Sequence, residues 1–269
     1  MKNSIRRIIR FVIKLIIENF APSIMHYSPI RFMKDGLITS HHIGSESNPD
    51  FQTALTYARK EFNELHSLYN EWRLYLATML SEQLFLSAIK RQEKFKFIEC
   101  GVGIGMTNYV IQKYLRLRYE EKIIDKFFSY IGIDTFEGID SNYLLQDERK
   151  LIDPKRFSSY SNQNFEDIKT RFQIFRNCEF VQGSIPAILD SIKKPSCNFL
   201  HIDLNNAIPE VESLKFFLPL MSNNSIILLD DYAFNSAKIQ RLKIDEYCES
   251  IGILKPITLP TGQGLLIIY

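Results

Sequence analysis

The sequence has little of what would organise a chain around metal thiolates or cross-links. Its 4 cysteines, Cys100, Cys178, Cys197 and Cys248, form no C-x-x-C pair, and its 5 histidines include no H-E-x-x-H. A zinc site or disulfide framework is therefore not expected, and reduced thiols in a cytoplasmic setting are. Glycine (11) and proline (10) are too sparse for a collagen-like chain, and 45% hydrophobic residues are too many for disorder. No charge of one sign dominates either. With 33 Lys+Arg against 31 Asp+Glu, the net +2 argues against nucleic acid as the main partner. A length of 269 residues suits one large α/β domain, or a core with an extra segment.

The near-neutral total conceals an asymmetry. Lys2, Arg6, Arg7, Arg10 and Lys14 all precede the first acid, Glu18, and leave about −3 for the remainder. On a helical projection these bases fall in one sector, while Ile5, Ile8, Ile9, Phe11, Val12, Leu15 and Ile16 cover the rest. Residues 1–20 thus read as a basic amphipathic helix, too interrupted by charge to span a bilayer or serve as a signal peptide. Two roles fit it: peripheral docking of residues 1–17 on an anionic membrane surface, or covering an apolar patch of its own domain or of a partner in a homo-oligomer. Residues 21–94 read as a helical cap region. A polar stretch, Thr39–Asp50, holds the loop pair His41-His42, and Phe51–Lys90 carries a stripe of Phe62, Leu65, Leu68, Tyr69, Trp72, Leu76 and Met79.

From Phe95 to the last residue the pattern changes to short apolar runs separated by helical stretches. Strands are predicted at Lys96–Glu99, Tyr130–Ile133, Glu179–Val181, Asn198–Ile202, Ser225–Leu229 and Leu265–Ile268. Helices are predicted around Thr107–Arg118, Asn164–Phe175, Pro209–Met221 and Lys238–Ile251. Such alternation implies a largely parallel sheet covered on both faces, with ligands beyond the carboxyl ends of its strands.

Those strand ends carry the chemistry. The first runs Glu99-Cys100-Gly101-Val102-Gly103-Ile104-Gly105-Met106-Thr107, which fails the dinucleotide fingerprint because Met106 stands where the third glycine belongs. Glu99 would repel a pyrophosphate but suits a cationic ligand such as S-adenosylmethionine. The second strand ends in Asp134, before Thr135-Phe136-Glu137-Gly138, where a carboxylate can accept two ribose hydroxyls or simply form the turn. Gly183-Ser184 after the third would border the adenine. Two further strands end in Asp203 and in Asp230-Asp231, and three carboxylates brought together require a cation. Oxygen-only ligands point to Mg²⁺ or a similar divalent ion; the alternative is that these acids cap the helices that follow, with Asn205 and Asn206 before Pro209 as further caps.

In order along the chain, Glu99–Gly105, Asp134–Gly138, His201-Ile202-Asp203, Asp230-Asp231-Tyr232 and Leu259–Gly264, with Trp72-Arg73 upstream, resemble the macrocin O-methyltransferase (TylF-like) family of class I methyltransferases. The resemblance implies a Rossmann-like α/β fold with a mostly parallel seven-stranded sheet whose last strand is antiparallel, beside a helical N-terminal extension. It also implies metal-dependent O-methylation of a sugar or of a glycan or secondary-metabolite acceptor, with S-adenosylmethionine as methyl donor. Glu99, Gly101, Gly103, Gly105, Thr107, Asp134, Phe136, Gly183 and Ser184 would bind the cofactor, and Asp203, Asp230 and Asp231 the metal. Asp203 and Asn205 would be the catalytic pair, with one departure: Asn205 stands where relatives often carry a proton-accepting acid, and an amide cannot take that proton. Another group, such as a histidine, or an ion that acidifies the hydroxyl would then serve. The polar segment Ile139–Asn164 would form a lid, with Tyr143, Tyr160 and Tyr232 available to stack on a sugar and the Thr261–Gly264 turn beside them. Two other classes fit less of the sequence: a nicotinamide-dependent oxidoreductase, and a non-catalytic membrane-docked protein retaining the fold.

Overall fold

The computed structural model describes residues 12–13, 15–16, 32–34, 37–39, 41–63, 70–151 and 164–269. The bases of the N-terminal segment, part of its apolar set, and Tyr160 lie outside them. Val12, Ile13, Leu15 and Ile16 are helical and exposed.

Two three-residue strands, β1 (Phe32–Lys34) and β2 (Leu37–Thr39), pair as an antiparallel hairpin. The helical stretch after it is two helices rather than one, α1 (Pro49–Glu61) and α2 (Glu71–Lys90). The start of α1 is set locally: the Asn48 side chain accepts from Phe51 N at 3.0 Å and Pro49 sits in the first turn, an arrangement worth about 1 kcal/mol. The buried face of α2 differs from the predicted stripe. Trp72, Leu76 and Met79 are only partly covered, whereas Arg73, Leu74, Ala77, Ser81, Glu82 and Phe85 are buried. Polar members are tolerated there because they are bonded: Glu82 accepts from Tyr114 Oη, Tyr119 Oη and Arg118 Nε at 2.7–2.9 Å.

The remainder alternates as expected: β3 (Phe95–Cys100), α3 (Met106–Arg118), α4 (Glu121–Phe127), β4 (Phe128–Asp134), α5 (Gln146–Leu151), α6 (Phe165–Phe172), β5 (Cys178–Gln182), β6 (Cys197–Ile202), α7 (Ala207–Phe217), β7 (Met221–Leu229), α8 (Lys238–Ser250), β8 (Ile257–Thr258) and β9 (Gly264–Ile268). The last seven strands form one sheet in the order β5-β4-β3-β6-β7-β9-β8. Strands β3 to β7 run parallel, and β9 is antiparallel to both its neighbours. This is the Rossmann-like architecture with an antiparallel last strand. The predicted helix Pro209–Met221 stops at Phe217, and β7 begins at Met221, before the predicted Ser225.

Central strands β3 and β6 are buried along almost their whole length, as continuous apolar runs covered by helices on both faces must be. Phe51, Leu55 and Phe85 from α1 and α2 join Phe95, Phe97, Tyr114 and Phe199 in a single cluster on one face, so the cap region and the sheet domain share a core. On the other face Ile98, Leu200, Phe217, Ile227 and Ile244 form the second. No helix of the described residues is long and apolar enough to cross a membrane.

Candidate functional site

Strand order reverses between β3 and β6, and there the parallel ladder continues one residue beyond the strands. Gly101 N donates to Ile133 O at 2.8 Å, Asp203 N to Cys100 O at 2.8 Å and Asp230 N to Ile202 O at 2.9 Å. Each hydrogen bond fixes a neighbour one strand further on, so Asp134, Gly101, Asp203 and Asp230 step across the carboxyl edge of adjacent strands at roughly the 4.8 Å strand spacing. Gly101 has φ +91°, and a Cβ there would lie 1.9 Å from the carbonyl oxygen of Asp203. Only glycine lets the loop pass so close to the acid strand. Gly103 and Gly105 are also left-handed, and Thr107 lies half-buried in the first turn of α3.

Asp134 holds this loop. Its Oδ2 accepts from Val102 N (2.7 Å) and Gly103 N (2.9 Å), and its Oδ1 from Phe136 N (2.8 Å), while the Thr135 hydroxyl 3.3 Å away donates to Gly138 O at 2.6 Å. Burial pushes its pKa up while these donors pull against it. Three backbone amides thus hold the carboxylate, which makes Asp134 the organiser of the glycine loop and leaves part of Oδ1 open to a ribose hydroxyl. Phe136, also left-handed, is buried with its ring 4.9 Å from that of Phe165, so its side chain is a packing group and its amide serves Asp134. Gly183 N donates to Asp134 O at 2.9 Å, while Ser184 Oγ donates to Asp140 Oδ2 at 2.7 Å.

Glu99 is put to a different use from the expected cationic contact. It is 1% exposed; Oε2 accepts from Tyr130 Oη at 2.6 Å and Oε1 lies 3.0 Å from His201 Nδ1. Register explains this, because Glu99 stands opposite His201 on β6 and Gly132 on β4. A Cβ at Gly132 would lie 2.6 Å from Tyr130 Oη, so glycine also clears the path of that hydroxyl to Glu99. Glu99 is a buried anchor beneath the site.

The three acids do approach one another, but a guanidinium is already among them. Arg73 Nη1 donates to Asp230 Oδ2 and lies 3.6 Å from Asp231 Oδ1; Nη2 donates to Thr261 O at 3.1 Å; and the guanidinium lies 4.5 Å from the centre of the Phe234 ring. Gln263 Nε2 donates to Asp230 Oδ1 at 2.8 Å, which brings the Thr261–Gly264 turn to the acids. Burial would raise the Asp230 pKa, but Arg73 and His201 hold it far below the carboxylate range. Asp203 is raised well above that range by burial and by the charges of Asp230 and Asp231. Burial opposes a charged His201, yet the charge of Asp230, 3.7 Å from Nε2, and the hydrogen bond and charge of Glu99 outweigh it and push the imidazole up to about 10. The two acids on either side thus favour the imidazolium form of His201.

Asn205 adopts φ +58°, a conformation asparagine tolerates, and its Nδ2 donates to Asp203 Oδ1 at 2.8 Å. The second oxygen of Asp203 has no hydrogen-bond partner among the described residues. Asn206 takes the N-cap position of α7 without capping it; its Nδ2 donates to Asp140 O at 3.3 Å. The cap comes from α5, where Glu148 Oε1 accepts from Ala207 N at 2.7 Å and Oε2 from Leu145 N at 2.9 Å. The described part of the expected lid is therefore docked against the start of α7. Tyr143 is half-buried in it, whereas Tyr232 is buried against Gly264 and donates to Asp245, leaving no face for a sugar. His41 and His42 are exposed loop residues.

Three residues of this site escaped prediction from sequence. Arg73 and Gln263 stood within segments that carry the resemblance but with no role assigned, and Glu148 was one of several acids in a polar segment. The metal assignment does not fit this arrangement. Arg73 Nη1 stands where Asp230 and Asp231 converge, the fourth acid is the amide Asn205, and no group of three or more His, Cys, Asp or Glu among the described residues is arranged to hold an ion.

Comparison with known proteins agrees with the geometry of the loop. Residues 98–232 match the family described as a methyltransferase domain. The O-methyltransferase NovP superposes with a TM-score of 0.62 at 18% identity, covering 76% of this chain and 83% of that one. CalS11, a calicheamicin methyltransferase, superposes with a TM-score of 0.55 at 15% identity, covering 82% of this chain and 93% of that one. No curated protein sequence matches the chain. The nicotinamide reading is set aside, because the family match falls on the glycine loop and the acid strands together: the chain belongs to the methyltransferase-domain family and is an S-adenosylmethionine-dependent methyltransferase.

Proposed function

We propose that this enzyme is an O-methyltransferase acting on a hydroxyl of a sugar, or of a glycan or secondary-metabolite acceptor. The observation that carries this reading is the adjacency of the glycine loop to Asp203, whose carbonyl lies against Gly101 and whose carboxylate keeps one oxygen unpartnered among the described residues. A cofactor cradle touching a buried carboxylate suits deprotonation of a weakly acidic nucleophile, because burial and the neighbouring acids give ionised Asp203 a strong affinity for a proton. The name of NovP as an O-methyltransferase supports the same chemistry.

S-adenosylmethionine supplies an electrophilic methyl when bound. Residues Gly101, Gly103 and Gly105 shape the turn against which it would lie, and Asp134 keeps that turn rigid through the Val102 and Gly103 amides. Asp203 accepts the acceptor hydroxyl proton as the new O–C bond forms and the C–S bond breaks, its electron pair leaving with sulfur. Asn205 orients Asp203 through one amide hydrogen bond and takes no proton. Holding the two reactants in line supplies most of the remaining advantage. The Mg²⁺ implied by the family resemblance does not fit the acids as Arg73 holds them, and no step passes through it.

The test is methyl transfer from labelled S-adenosylmethionine to a panel of nucleotide-sugar and glycoside hydroxyls, compared with amine and thiol acceptors. Asp203→Asn should remove turnover while cofactor binding, followed by calorimetry, persists. Transfer to amines or thiols alone would refute the reading.

A further inference from the structure

The matched family segment begins at residue 98, yet the guanidinium bonded to Asp230 comes from α2, 157 residues earlier in the chain. Arg73 is nine-tenths buried and fixed on four sides. It is bonded to the Asp230 carboxylate, ion-paired with Asp231, bonded to the Thr261 carbonyl, and seated over the Phe234 ring. A hard divalent ion shared by Asp230 and Asp231 would sit about 2.0–2.6 Å from their oxygens. Nη1 already occupies the point where those carboxylates converge. The remaining donors are committed in the same sense: Gln263 holds Asp230 Oδ1, and Asn205 holds Asp203 Oδ1 with a neutral amide.

We propose that Arg73 is the resident cation of this carboxylate cluster and that the enzyme works without a bound divalent ion. A planar guanidinium matches two adjacent carboxylates in a way that one metal ion matches three or four oxygens, and it remains charged at every working pH. Its placement also ties the acid strand β7 to the extension helix α2 and to the turn before β9. Arg73 is thus a positioning residue for the acid pocket. The inference builds on the methyltransferase reading only for the purpose of the pocket; the occupant of the cation position is decided by binding alone.

The experiment is a titration of the full-length protein with Mn²⁺, followed by electron paramagnetic resonance, for wild type, Arg73→Gln and the pair Arg73→Gln with Asp230→Asn. The wild type should leave the free-ion signal undiminished and keep its turnover after EDTA treatment. Arg73→Gln should bind Mn²⁺ at least about tenfold more tightly, since a positive charge a few ångströms from an ion near a protein surface costs more than one decade of affinity. Adding Asp230→Asn should abolish that binding, an acquired property that lost packing would not produce. Stoichiometric Mn²⁺ binding by the wild type, lost in Asp230→Asn alone, would overturn the proposal, as would an Arg73→Gln protein that folds by circular dichroism but binds no better than wild type. If that variant fails to fold, the wild-type titration decides by itself. Cofactor calorimetry on the same samples separates the two readings, because loss of S-adenosylmethionine binding would strike the enzyme assignment and leave the ion result standing.

Discussion

Gly101→Ala is the sharpest perturbation available, because its cost divides into two parts that a second glycine separates. Gly101 and Gly252 both have positive φ, +91° and +71°, so alanine at either carries the left-handed penalty of about 1 kcal/mol. At Gly252 nothing lies within 4 Å of the added methyl, and the penalty is the whole effect. At Gly101 the methyl would meet the Asp203 carbonyl at 1.9 Å, more than 1 Å inside the 3.0 Å limit of real contacts, and the obstacle is backbone. Relief requires β3 and β6 to separate at the switch point, an overpacking cost of about 1–3 kcal/mol more. Thermal unfolding should then show Gly101→Ala about 2–4 kcal/mol less stable than wild type, or roughly 4–16 °C in Tm, against about 1 kcal/mol for Gly252→Ala. A displacement of that size at Asp203 should also lower kcat by on the order of 100-fold, while Gly252→Ala turns over normally. If the two variants melt together, or if Gly101→Ala keeps full activity, the close approach of loop and acid strand is wrong.

Two further perturbations test other parts of the site. Glu99→Gln removes the charge beneath His201 and disturbs the bond from Tyr130, so it should cost about 1–3 kcal/mol in thermal unfolding while S-adenosylmethionine affinity holds; weaker binding without a loss of stability would restore Glu99 as a cofactor contact. Glu148 tests the docked lid. Burial raises its pKa against the pull of the Leu145 and Ala207 amides, so the docked state takes up the proton before the free segment does. Docking should therefore weaken as pH rises through the raised value and reach full strength below the ordinary glutamate range. Hydrogen exchange of residues 139–151 should follow that course in the wild type and lose its pH dependence in Glu148→Gln; protection that falls on acidification would refute the sign.

Much of the sheet was legible because its central strands are buried on both faces, and Phe97-Ile98 or Phe199-Leu200 could be little else than interior strand. Strand β8 was not, since Ile257 and Thr258 are exposed edge residues with no pattern to betray pairing. The same contrast runs through the site. The positions of Gly101, Asp134, Asp203 and Asp230 followed from where strands end, a property of local sequence. Their partners did not. Glu99 two residues before a glycine reads alike whether it faces a ligand or a histidine, and only the register with β6 decides. Three acids together correctly announced a need for positive charge, but Arg73 meets that need from another part of the chain, and Glu148 caps α7 in place of the adjacent Asn206 for the same non-local reason.

The reach of Arg73 has a consequence for how this protein can be divided. The unit that matches the family, residues 98–232, contains the glycine loop and all three acids, yet the atoms that balance and orient those acids come from both sides of it, at Arg73, Thr261 and Gln263. A fragment cut to the family boundaries would keep every recognisable motif and lose the electrostatic scaffold that makes the pocket. Exchange of parts between relatives should accordingly be planned across α2 and the β8–β9 turn as one inherited set, since either half alone would carry a lock without its key.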